Sequence, residues 1–229
     1  MSYLWQEFNI KTFLSETLVF RDGVFCEDLS DYKSAEFKDN TITINKTSKL
    51  PIHIIYIGEI AGNIDLKLDI IAPDNKITMT NKTTIKKPTF LNIFVKNAGK
   101  NSIFDGKIIV KNENNLKISA IGQHLSENTG IFIKTKVAAY KNSETFLEGN
   151  AIIEKNIPNC DSDISFSVMA DENAKITLKP MQYIKSVPLS AKHSASLYKP
   201  TEPQINYLRN AGLSGTEIKE VLENAFLEE

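Results

Sequence analysis

The amino-acid sequence predicts a mainly β protein that closes with an α-helical hairpin, and three observations carry that reading. From about Asp39 to Leu197, apolar and polar residues alternate with a period of two in short runs. Clusters of Asn, Asp, Gly, Lys and Pro separate the runs, with no helical pattern between them. The last thirty residues switch to the i, i+3, i+4 spacing of amphipathic helices.

Taken in order, the chain divides into an N-terminal segment at 1–38, a β core at 39–199 and a helical unit at 200–229. The first segment predicts a short helix or irregular stretch around Tyr3–Phe13. Leu18-Val-Phe-Arg-Asp-Gly-Val-Phe25 then reads as a hairpin about Arg21-Asp22-Gly23. In the core, Ile64, Leu66, Leu68 and Ile70 share one strand face. So do Leu116, Ile118 and Ala120; Ile131 and Ile133; Ile164, Phe166 and Val168; and Ile176 and Leu178. Turns are expected at Asp74–Lys76, Asn97–Lys100, Asn112–Asn115 and Ala170–Asn173, with Asn suited to left-handed backbone. Asp105-Gly106 is the one strong hairpin dipeptide of the core.

Many short strands without intervening helices leave two architectures, an antiparallel β-sandwich or a parallel β-solenoid. The sandwich is the commoner fold, and no fixed-length repeat stands out against it.

Both terminal helices begin with a capping box, Thr201-Glu-Pro-Gln204 and Ser214-Gly-Thr-Glu217. The first carries Ile205 and Leu208 before Gly212, which can end a helix. The second carries Ile218, Val221, Leu222, Ala225 and Phe226 on one face, which needs a partner surface. That surface is either the end of the β core, which the hairpin would cap, or another protein.

Composition restricts the chemistry. Across 229 residues, 27 Lys and Arg face 28 Asp and Glu, so nothing electrostatic points to nucleic acid or a polybasic membrane surface. A 41% hydrophobic content is that of a folded chain rather than a disordered one. Two Cys (Cys26, Cys160) and three His (His53, His124, His193) include no pair at metal-ligand spacing, so an autonomous zinc or iron–sulfur site is not expected. Without a disulfide framework, signal peptide or membrane-length apolar run, a cytoplasmic location is expected. No P-loop and no G-x-G-x-x-G occurs, so any nucleotide hydrolysis would be a partner's. Asp161 and Asp163 alternate on one face, which leaves a β-helix carbohydrate-active enzyme as a less favoured alternative.

The ending Ala191-Lys-His-Ser-Ala-Ser-Leu-Tyr-Lys199, with Gln204-Ile-Asn-Tyr-Leu-Arg-Asn-Ala-Gly-Leu-Ser214 and Glu223-Asn-Ala-Phe226, resembles that of the SufB/SufD family of the SUF iron–sulfur cluster assembly system. Val19–Ser30 resembles a segment of the SufD branch, and Gln123-His-Leu-Ser-Glu-Asn-Thr129 with Gly149 resembles the family's mid-domain pattern. The resemblance implies a right-handed parallel β-helix, reversing the preference for a sandwich, with fewer rungs or less N-terminal chain than typical members. It also implies a scaffold or adaptor rather than an enzyme. Its partners would be a second SufB/SufD-type chain, or itself as a homodimer, and a SufC-type ABC ATPase docked on the terminal helices.

Of the candidate residues, His193 sits at the family's His before the helical tail, which the resemblance implicates in cluster or sulfur handling. Its alternation with Leu189, Ala191, Ala195 and Leu197 alone would make it a core histidine. Ser194 follows where the SufB branch has Glu, a departure that favours a SufD-like chain. Cys160, in Asn159-Cys-Asp-Ser162, looks like the tract of the sulfur-accepting Cys, but ungapped alignment puts that position near Ser165. A transient cluster shared with a partner, with His193 as one ligand, is therefore the implied cargo; a structural adaptor without cluster contact is the alternative. Cys26 reads as structural, His124 as a structural family position, and His53 carries no assignment. Ile205, Leu208, Ile218, Val221, Leu222 and Phe226 are the residues expected to dock the ATPase.

Overall fold

The computed structural model of the chain describes residues 15–140 and 142–228; the segment expected at Tyr3–Phe13 lies outside them. Strand β1 (Glu16–Arg21) turns through Asp22 and Gly23, at φ 50° and 80°, into β2 (Val24–Phe25), so the expected hairpin forms. After a 3-10 turn at Glu27–Leu29, β3 (Ala35–Lys38) pairs antiparallel with β4 (Thr41–Ile44). Then follow β5 (Ile52–Glu59), β6 (Gly62–Ile70), β7 (Lys76–Ile85), β8 (Thr89–Asn97), β9 (Ile103–Asn112) and β10 (Asn115–His124). The series ends with β11 (Gly130–Ala139), β12 (Glu144–Ile153), β13 (Asp161–Ala170), β14 (Lys175–Ile184) and β15 (Ser190–Tyr198).

From β4 on, strands pair not with their chain neighbours but with the next strand but one. β1, β5, β7, β9, β11, β13 and β15 form one parallel ladder, and β4, β6, β8, β10, β12 and β14 the other. The result is a parallel β-solenoid of about six turns, not an antiparallel sandwich. Asp105-Gly106 accordingly lies inside β9 and makes no hairpin. Residues 16–38 supply β1–β3, so the described part of the N-terminal segment is built into the two sheets.

The alternation seen in the sequence is the inside and outside of this coil. Ile77, Phe104 and Ile131 stack in register on one wall, and Leu66 and Ile93, then Leu91, Ile118 and Leu147, on the other, all buried. Each buried Ile or Leu contributes about 2 kcal/mol of transfer free energy. Corners are set by left-handed residues one coil apart. Asp74, Asn101, Asn128 and Asn159 all have φ near 60°, and each Asn side-chain amide donates to the residue below, at 2.9, 3.2 and 3.2 Å.

The two ends differ. At the first, the antiparallel β1–β2 and β3–β4 hairpins bring Phe20, Phe25, Phe37, Tyr32 and Tyr56 into one aromatic plug. At the other, β14 and β15 are edge strands, and Val187, Leu189 and Leu197 are 80, 72 and 61% exposed.

The helices do not cap that open end. α1 (Glu202–Asn210) has the expected capping box at Thr201 and buries none of its residues. α2 (Gly215–Glu228) packs Phe226 and Leu227 against Ala138, Ile109, Met169 and Tyr198, which face outward from the β15-containing sheet.

Candidate functional site

The open end is where the candidate ligands gather. Among the described residues β15 pairs only with β13, and the pairing Ile164↔His193 places His193 in an inward-facing column. On earlier rungs that column holds Leu18, Ile54, Met79, Gly106, Ile133 and Ile164. Among the described residues no rung follows, so a position that is core elsewhere in the coil is exposed here. The strand pattern of His193 is thus that of the core, but its imidazole is in solvent, so it is not a buried core histidine. Ser194 lies on the other face, across from Ser165, and Ser167 bonds Ser196 at 2.9 Å on that outer side.

Cys160 is positioned differently. Its carbonyl accepts Leu189 N–H at 2.8 Å and Ser190 N–H at 3.3 Å, fixing the start of β15. Its thiol is wholly buried and points to the Ser126 carbonyl and Thr129 Oγ1, each at 3.5 Å. Thr129 donates its one hydroxyl hydrogen to the Ser126 carbonyl at 2.8 Å, leaving Oγ1 to accept from His124 Nδ1 at 2.8 Å. His124 is therefore the buried neutral strut of a corner, and burial pushes its pKa down to about 4. The structure does not bring Cys160 into contact with His193. Ser165 is half-buried on the outer face, so neither residue competing for the family Cys position shares a surface with the imidazole.

The remaining candidates fall into structural places. Cys26 bonds its own hairpin through its N–H to the Val19 carbonyl at 2.8 Å. His53 bonds Thr78 across neighbouring strands, and burial lowers its pKa. Asp161 and Asp163 are half-buried on the outer face of β13. Among the described residues no group of three His, Cys, Asp or Glu is placed to hold a metal ion.

The tail holds a feature that the apolar pattern did not disclose. Glu223, only 5% exposed, accepts the Tyr140 hydroxyl on both carboxylate oxygens at 2.8 and 2.7 Å, and Lys111 Nζ at 2.7 Å. Burial, and then the bond to Glu223, raises the Tyr140 pKa. Of the residues expected to dock an ATPase, Ile218 and Phe226 are buried and Leu222 half-buried. Ile205 and Leu208 are half-buried, and Val221 is exposed. Tyr207, 75% exposed, was not among them, and no apolar spacing would select it.

Residues 34–226 match the family described as SUF system FeS cluster assembly, SufBD core domain. The chain belongs to the SufBD family. Comparison with curated proteins finds no match. SufBD membership, spanning the solenoid and the tail together, makes the chain a component of SUF iron–sulfur cluster assembly, in a family of assembly scaffolds. No described helix is long and apolar enough to cross a membrane.

Proposed function

We propose that this SufBD chain is a non-enzymatic, cytoplasmic scaffold subunit that pairs through its open end with a second scaffold chain and docks an ABC-type ATPase on its tail. The observation that supports this most is the asymmetry of the coil, with aromatic rings closing one end and the other left bare around His193. An unpaired strand edge is a template for another strand, and soluble proteins ordinarily blunt it. β14 is blunted by Pro180, which has no N–H to offer. β15 has no proline and one lysine, so it is the strand that pairs. Across that joint His193 presents one imidazole to an iron–sulfur cluster carried as cargo, and the partner supplies the other ligands. The partner is a second SufB/SufD-type chain or another copy of this one.

The ATPase meets Ile205, Leu208 and Val221 together with Tyr207, while Ile218, Leu222 and Phe226 hold the tail to the strands. The burial of the Cys160 thiol favours the second reading, an adaptor that positions the ATPase without touching a cluster. Ala195→Lys with Leu197→Lys tests the pairing, since both side chains are exposed and both lie on β15. The pair of lysines is expected to abolish association with the cognate scaffold chain, and self-association, in sedimentation analysis. Unchanged association would rule out β15 as the joint.

A further inference from the structure

We propose that α2 is a clamp on the last strand, and that the Phe226–Tyr198 ring stack positions β15 and therefore His193. Among the described residues β15 is hydrogen-bonded to one strand and its other edge is unpaired, so its C-terminal half needs a second restraint. Tyr198 supplies it. Its ring stacks on Phe226 with centroids 5.4 Å apart and planes 19° from parallel.

The other end of the clamp is anchored far from β15 in sequence. Along the outer column Lys111–Ala138–Met169–Tyr198, one residue from each of β9, β11, β13 and β15 stands side by side. Lys111 binds buried Glu223, and the small Ala138 lets Phe226 and Leu227 approach the sheet. Lys136 donates to the Phe226 carbonyl at 2.8 Å and places its ammonium over the same ring at 5.4 Å. Lys219 pairs with Asp171 at 2.6 Å, just past the end of β13. The helix is thus fastened to the inner rungs by charge and by the packing of Phe226 and Leu227, and to the edge strand by one ring. α1 follows β15 after three residues, so the ring stack resists displacement of the strand's end when α1 is pulled.

The clamp is built from contacts within the chain, whereas its use in gating a shared cluster site rests on the function proposed above. Amide hydrogen exchange on the full chain separates the two. Phe226→Ala and Tyr198→Ser are expected to speed exchange across residues 190–198 by roughly three- to tenfold, the loss of one aromatic pair. Residues 103–112 should be unchanged, and Tyr198→Phe, which keeps the ring, should behave as wild type. Unchanged exchange over 190–198 in Phe226→Ala would overturn the clamp, whether or not α2 itself loosens, because the stack is gone in either case. So would a Tyr198→Phe chain that behaves like Tyr198→Ser. Failure of the wild-type chain to capture the ATPase would instead sink the functional reading and leave the clamp standing.

Discussion

His193 on β15 pairs with Ile164 on β13 and continues, by one uncovered residue, the column that forms the core of the coil. Ile164 is wholly buried, and the next position along the same column is in solvent. A histidine there cannot be explained by packing, since it packs against nothing above it.

His193→Ala is therefore expected to leave the stability of the isolated chain within about 0.5 kcal/mol of wild type, as for other surface changes. The same variant should lose cluster yield in anaerobic reconstitution with iron, sulfide and the scaffold partner. Equal yields for His193→Ala, Cys160→Ser and wild type would dismiss both residues as ligands or sulfur carriers.

The two thiols should separate by reactivity. Cys26 is half-buried and Cys160 fully buried, so native alkylation is expected to modify Cys26 first and reach Cys160 only as the coil opens. Equal rates in the folded chain would show that Cys160 is accessible as it stands.

Stability should fall in acid before the carboxylates titrate. His124 has a folded pKa of about 4 against about 6.5 when unfolded, so the unfolded state binds the extra proton between those values. The stabilisation is fully present above pH 6.5 and is lost as pH falls toward 4, amounting to about 3 kcal/mol at the low end. Urea midpoints for wild type and His124→Gln should converge in slope across this window if another group dominates. A steeper wild-type decline identifies His124.

Much of this fold could be read from the sequence, and the parts that could not share a cause. Period-two alternation says which face a residue takes but not which strand it pairs with, so sandwich and solenoid are equivalent in it. The discriminating signal was the corner residue recurring at Asp74, Asn101 and Asn128, 27 positions apart in each case. The next corner, Asn159, comes 31 positions later, which hides the repeat. Asp105-Gly106 misled because Gly106 is needed for packing instead: a Cβ there would come within 2.8 Å of the Phe104 ring. In the tail, the apolar spacing put Val221 on the buried face, whereas Glu223 with its Lys111 and Tyr140 partners takes that side. Helical periodicity locates an apolar stripe but cannot foresee a buried carboxylate whose partners lie some eighty residues or more away.

Gly149 should tolerate no side chain. It faces Ile164 and Phe166 across the coil interior, and a Cβ would lie 2.6 Å from Ile164 Cγ2 and 2.7 Å from Phe166 Cζ. Gly149→Ala is expected to cost about 1–3 kcal/mol through overpacking, seen as a lower thermal midpoint. Adding Phe166→Leu should recover part of the loss, because the nearest ring atom is removed; no recovery would place the clash on Ile164 Cγ2 instead of the ring.

The buried carboxylate of α2 gives an asymmetric pair of variants. Glu223→Gln removes the charge but can still accept the Tyr140 hydroxyl, so the tail should stay docked at a cost of about 1 kcal/mol. Lys111→Met leaves a carboxylate that is 6% exposed with no cation, and is expected to cost more, about 2 kcal/mol after allowing for the partial exposure of Lys111. The double variant removes both charges and should be no worse than Lys111→Met alone, since the penalty lies in the unpaired charge and not in the missing bond. Exchange rates over residues 215–228 read each case directly. If Glu223→Gln frees the helix as fully as Lys111→Met, then the Tyr140 bond is unimportant and the ion pair alone holds the tail.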